Sequence, residues 1–154
     1  MRLSPNFTLR EFTFSQTAVN HGIDNTPTPE ILERLKQTAQ GMERVRNNGG
    51  GNPVIVLSGY RSPDVNKAVG GSRNSAHMQG WACDFFVRGI NNRQVCQAII
   101  ANGIKFDQLI LEGVSDARPN GSWVHISFDP TMRGQVLTMK RENGRITYKK
   151  GLVR

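Results

Sequence analysis

Residues 47–53, NNGGGNP, place three consecutive glycines and a proline in the chain, and no helix continues through such a stretch at reasonable cost. The hydrophobic period changes across it. Upstream, in TPTPEILERLKQTAQGMERVRNN, the residues Ile31, Leu32, Leu35, Ala39, Met42 and Val45 recur along one helical face. Thr28 stands where an N-cap is needed and Pro29 suits a first turn. That stripe predicts a long helix buried on one side. Before it, FTLREFTFSQTA predicts short helical turns packed onto the domain. Downstream, the runs VIVLSG, ACDFFV, FDQLILE, WVHISF, QVLTMKR and RITYKK are short and extended. NNRQVCQAIIANG, between the second and third runs, has the spacing of a helix ending at Gly103, and Asn143-Gly144 between the last two is a hairpin signal. The expectation is an α+β fold, with N-terminal helices packed on a mostly antiparallel sheet. With no repeat or linker, residues 1–154 read as a single domain.

Composition narrows the function classes. With 37% hydrophobic and 21% charged residues the chain has the makings of a real core. No apolar run approaches the roughly 20 residues needed to span a bilayer. MRLSPNFTLREF lacks the apolar block of a secretory signal, which predicts synthesis as a soluble cytoplasmic protein that reaches any outer target by another route. Cys83 and Cys96 have no CxxC spacing and read as buried free thiols. The net charge of +8 favours polyanionic partners such as nucleic acid, anionic lipid or cell-wall polymer. Apart from the cluster between Lys140 and Lys150 the cations are scattered, and no nucleic-acid-binding motif appears, so specific nucleic-acid binding is not expected. GGGNP and VGGSRNS lack the Lys-Ser/Thr ending of a phosphate-binding loop.

The anomaly is Asp84, an ionisable carboxylate inside the apolar run ACDFFV. Burying it is costly unless a cation or strong hydrogen-bond donor meets it. Strand alternation puts Val124, Ile126 and Phe128 on one face and Trp123, His125 and Ser127 on the other. In FDQLILE the same period separates Leu109 and Leu111 from Gln108, Ile110 and Glu112. If these strands are neighbours, Asp84, His125 and Glu112 share a pocket. His77, in a glycine-studded loop just before ACDFFV, adds a second imidazole. Two histidines and a carboxylate make a common zinc set that leaves a position open for water. His21 has no comparable company.

The segment Ser75 to Asp84, SAHMQGWACD, matches S-x-H-x-x-G-x-A-x-D and resembles the zinc signature of the M15 peptidases, the D-Ala-D-Ala carboxypeptidase family that includes phage endolysins. SGYRSPDVNKAVGG and WVHISF resemble further family blocks in matching order, and EFTFSQTAVNHGIDNTPTPEILERL resembles the helical leader of phage members. The tail after Phe128 adds little. The resemblance implies zinc held by His77, Asp84 and His125, with Arg61 meeting the substrate's carbonyl or carboxylate. Many members carry an acid three residues before the last ligand; here Ser122 stands there. In hedgehog-like and some phage branches the acid closes the preceding strand, which gives Glu112 the role of base, with Asp107 and Asp116 as fallbacks. Other branches place a histidine where this chain has Trp123. Tyr60, Ser75 and Trp123, beside these motif residues, are the expected substrate contacts.

The implied chemistry is attack of a zinc-activated water on a peptide carbonyl, with Glu112 moving the proton and Arg61 meeting the developing charge. The implied partner is bacterial peptidoglycan with its D-Ala-containing stem peptides, and the basic charge suits an anionic cell-envelope surface. An endolysin acting as a monomer is expected; the alternative is an inactive zinc-containing wall-binding or virion structural module, which Ser122 permits.

Overall fold

A computed structural model describes residues 1–154. The chain opens with a two-stranded antiparallel ribbon, β1 (Arg2–Ser4) and β2 (Phe7–Thr8). Two short helices follow, α1 (Leu9–Thr13) and α2 (Gln16–His21). A reciprocal pair starts α1: Thr8 Oγ1 accepts from Glu11 N, and Glu11 Oε1 accepts from Thr8 N at 2.9 Å. The long helix α3 (Pro29–Asn48) matches its expected limits. Thr28 Oγ1 accepts from Ile31 N at 3.2 Å as its N-cap, and Gly49, Gly50 and Gly51 end it. Its stripe is core, with Leu35, Ala39 and Met42 fully buried.

Six strands form the main sheet, in the order β3 (Val54–Ser58), β4 (Ala82–Val87), β6 (Trp123–Ser127), β5 (Gln108–Val114), β7 (Gln135–Glu142) and β8 (Arg145–Lys150). Every neighbouring pair is antiparallel except β5 with β7, which run parallel, so the expectation of a mostly antiparallel sheet is met. Helix α4 (Pro63–Ala68) follows β3, and α5 (Asn92–Ala101) connects β4 to β5. α5 stops two residues short of the expected Gly103, because Asn102 and the left-handed Gly103 already form the turn.

One strand is displaced from its expected limits. β5 begins at Gln108 and continues past Glu112, because Gly113 takes φ +80° and shifts the register against β7. The tail after Phe128 supplies the two strands expected of QVLTMKR and RITYKK, paired as a hairpin about Asn143-Gly144. Helices α3 and α5 cover one sheet face. There, Leu35 and Met42 of α3 and Cys96 and Ile99 of α5 join Phe85, Leu109, Leu111, Val124 and Ile126 in one core. Gly41 is the point of closest approach: a Cβ there would lie 2.5 Å from the buried Phe128 ring. Cys83 and Cys96 are buried free thiols in this core. No helix is long and apolar enough to cross a membrane.

Candidate metal centre

The period of two on β4 sends Cys83 and Phe85 into the core and Asp84 to the opposite face. Register then aligns a row across four strands: Ser58 lies beside Asp84, Asp84 beside His125, and His125 beside Ile110. Asp84 and His125 are therefore cross-strand partners. His77 arrives on a single 3₁₀ turn (Ala76–Gln79), started by Ser75, whose Oγ accepts from His77 N at 3.2 Å, and ended by the left-handed Gly80.

His77 Nδ1–H donates to Gly59 O at 2.7 Å, which assigns the hydrogen to that nitrogen in the neutral ring. Nε2 is then a bare lone pair, yet it faces Asp84 Oδ1 at 3.2 Å. His125 Nδ1 approaches the same oxygen at 2.9 Å. Two ring nitrogens and a carboxylate oxygen crowd together in a buried place, with His77 2% and His125 9% exposed. Lone pairs so arranged repel unless a cation lies among them. A tetrahedral zinc with ligands at about 2.0–2.1 Å has donor separations of roughly 3.3 Å. The observed spacings approach that value, so the residues fit the ion, and the three are the one group among the chain's His, Cys, Asp and Glu side chains that could hold a metal.

The electrostatics agree. Burial works to raise the Asp84 carboxyl, but His77 and His125 outweigh it and hold the group well below the usual carboxylate range. Burial lowers His77, a shift toward the neutral form that a metal ligand needs. For His125, burial is overcome by the bond to Asp84 and its charge, so its affinity for a proton rises.

The row opens into a cleft of about 650 Å³. Arg61 and Glu112 line it on either side of the ligands. Arg61 N donates to His77 O at 3.1 Å, and Arg61 Nη1 donates to Asn66 Oδ1 at 3.2 Å, so the guanidinium is held in place. Glu112 pairs with Trp123 across the β5–β6 ladder, two residues along from the Ile110–His125 pair, which is about 7 Å of strand. Burial, then the charge of Asp84, raises the Glu112 carboxyl to about 7. Arg61 Nε and Trp123 Nε1 are buried without a protein partner.

Most of the expected site residues meet in this cleft: Arg61, Ser75, His77, Asp84, Glu112, Trp123 and His125 all line it. Tyr60 does not. Its side chain is buried in the hydrophobic core, and its backbone N–H donates to Phe12 O at 2.6 Å. Asp107 lines the cleft, but Arg133 occupies its carboxylate with two guanidinium donors at 2.9 and 3.0 Å. Asp116 lies in a separate surface depression with Arg93 and Asn120. Ser122 Oγ accepts from Arg118 Nη1 at 3.4 Å, and His21 ends α2 in solvent. The sequence did not point to Asn66, Arg133 or Tyr148. Asn66 carried a faint signal, lying five residues after Arg61; Arg133 and Tyr148 carried none, Arg133 being placed by its bonds to Asp107 and Tyr148 by the pairing of β7 and β8.

A buried His-Asp-His set on the open face of a mixed sheet, with a carboxylate and a guanidinium beside it, is a group that could hold one divalent ion. Residues 5–127 match the family model described as Peptidase M15, and the chain belongs to that family. The protein is therefore a peptidase, and M15 peptidases are metallopeptidases of peptidoglycan. Comparison with curated proteins finds no significant match.

Proposed function

We propose that the protein is a zinc-dependent peptidoglycan peptidase of the carboxypeptidase or endopeptidase type, hydrolysing a D-Ala-containing stem-peptide or cross-link amide. Residues 1–154 would act as one monomeric domain in the manner of a phage endolysin, made in the cytoplasm and acting on the wall after release. The observation that carries the zinc site is the convergence of His77 Nε2, Asp84 Oδ1 and His125 Nδ1 in a buried place.

When bound at these three ligands, zinc supplies a Lewis acid that polarises the scissile carbonyl and acidifies water near neutral pH. Glu112, raised to about 7, is poised to take a proton from the attacking water and to return it to the leaving amine. Arg61, locked by Asn66, offers a preorganised positive charge to the carbonyl oxygen as it becomes an oxyanion. Ser75 and Trp123 on the cleft wall orient the substrate. Glu112 in the cleft supplies the acid missing at Ser122.

Purified peptidoglycan digested with the protein and resolved by mass spectrometry tests this, with a chelator and with His77→Ala as controls. The expected result is one released amide bond type, lost with either control. A wild type that takes up zinc yet releases nothing would instead mark an inactive wall-binding module.

A further inference from the structure

The family match ends at residue 127, yet the cleft wall does not. On β8, Ile146, Tyr148 and Lys150 share a face by the strand period, opposite Arg141, Met139 and Leu137 of β7. β7 lies alongside β5 with Leu137 beside Ile110, so this face continues the one that carries Ile110 and Glu112. Tyr148 lines the cleft while remaining 56% exposed. A half-exposed ring at the edge of a polar cleft gains contact when a ligand enters. Arg141, beside Ile146 across the β7–β8 ladder and two residues from Met139, the partner of Tyr148, presents its side chain on the same face at the edge of the cleft. Its neighbour Glu142 is occupied by Lys140 at 2.8 Å, and Arg141 itself forms no salt bridge.

We infer that Tyr148 and Arg141 form the subsite for the amine half of the substrate, Tyr148 packing on the residue whose amine is released and Arg141 pairing with its free carboxylate. This rests on the peptidase reading, in which Glu112 returns the proton to the leaving amine. Glu112 lies between the metal ligands and the hairpin, so the amine half extends toward β8. A terminal D-Ala on the amine side of the scissile amide keeps its carboxylate free, as does a residue with a second, unlinked carboxyl. The hairpin is thus a specificity element added beyond the family-matched residues.

The test uses the zinc-loaded full chain and soluble muropeptides whose amine-side residue has either a free or an amidated carboxylate. The wild type is expected to prefer the free carboxylate by about fivefold in kcat/KM, and Arg141→Gln to erase that preference. Tyr148→Ala is expected to raise KM about fivefold with kcat within about twofold, while Tyr148→Phe stays near wild type because the ring makes the contact. No preference in the wild type, a preference that survives Arg141→Gln, or an unchanged KM in Tyr148→Ala overturns the assignment. So does a fall in kcat and Tm together, which marks a structural role. If the wild type hydrolyses none of these peptides, the peptidase reading fails separately. Binding of the same peptides, followed by tryptophan fluorescence, then decides the subsite by the same carboxylate preference.

Discussion

Asp84 and Glu112 are both acidic and face one cleft, yet their surroundings push them in opposite directions. Burial works to raise both, but the charge and hydrogen bonds of the two histidines hold Asp84 low, whereas the charge of Asp84 itself pushes Glu112 further up. The linkage signs follow. The lowered Asp84 contributes stability that is present above its ordinary value and lost as pH falls through the folded one. The raised Glu112 contributes stability that is full below about pH 4.5 and lost as pH rises through about 7. In metal-free protein, Glu112→Gln is therefore expected to flatten the decline of Tm between about pH 4.5 and 7, measured as a difference from wild type because His125 also titrates. A difference curve with no slope in that window would refute the raised carboxyl. In the zinc-loaded enzyme the same substitution is expected to lower kcat by about 10²–10⁴-fold with unchanged zinc content by metal analysis. Activity within a few-fold of wild type would remove Glu112 from the reaction.

Two glycines show how the elements carry the site. Gly41 lets α3 lie against Phe128, the residue that follows the strand bearing His125. An alanine normally stabilises a helix interior by about 0.5–1 kcal/mol over glycine. Here its Cβ must displace a buried ring, and overpacking costs about 1–3 kcal/mol. Gly41→Ala is expected to be net destabilising by about 1–2 kcal/mol in urea unfolding, and a gain in stability would contradict the close approach. Gly113, at φ +80°, directly follows Glu112, and an added Cβ would meet Ser122 Oγ at 2.6 Å. Gly113→Ala is expected to cost about 1–3 kcal/mol and to misplace the Glu112 carboxylate, so that kcat falls while zinc content stays unchanged. Equal activity at equal zinc content would show that the bulge does not position the acid.

For the whole molecule, the ion would join β4, β6 and the turn after α4, three segments distant in sequence. Removing it leaves a buried carboxylate between two imidazoles, and the folded state loses its binding free energy. At free zinc about 100 times Kd that amounts to about 2.7 kcal/mol, so the metal-free protein is expected to melt several degrees lower. An unchanged Tm after verified metal removal would count against a structural contribution. Helix α3 and strands β4 and β8 were legible from the chain because caps, glycines and hydrophobic period act between near neighbours. The faces of Asp84, Glu112 and His125 followed from the same period. Strand order did not, because backbone pairing between distant segments leaves no local mark. Only tertiary structure therefore turned Tyr60 into the core, neutralised Asp107 with Arg133, and ran β7 parallel to β5 so that Tyr148 reached the cleft. Local sequence set which side chains each element turns toward the same side; long-range packing decided which of those sides meet.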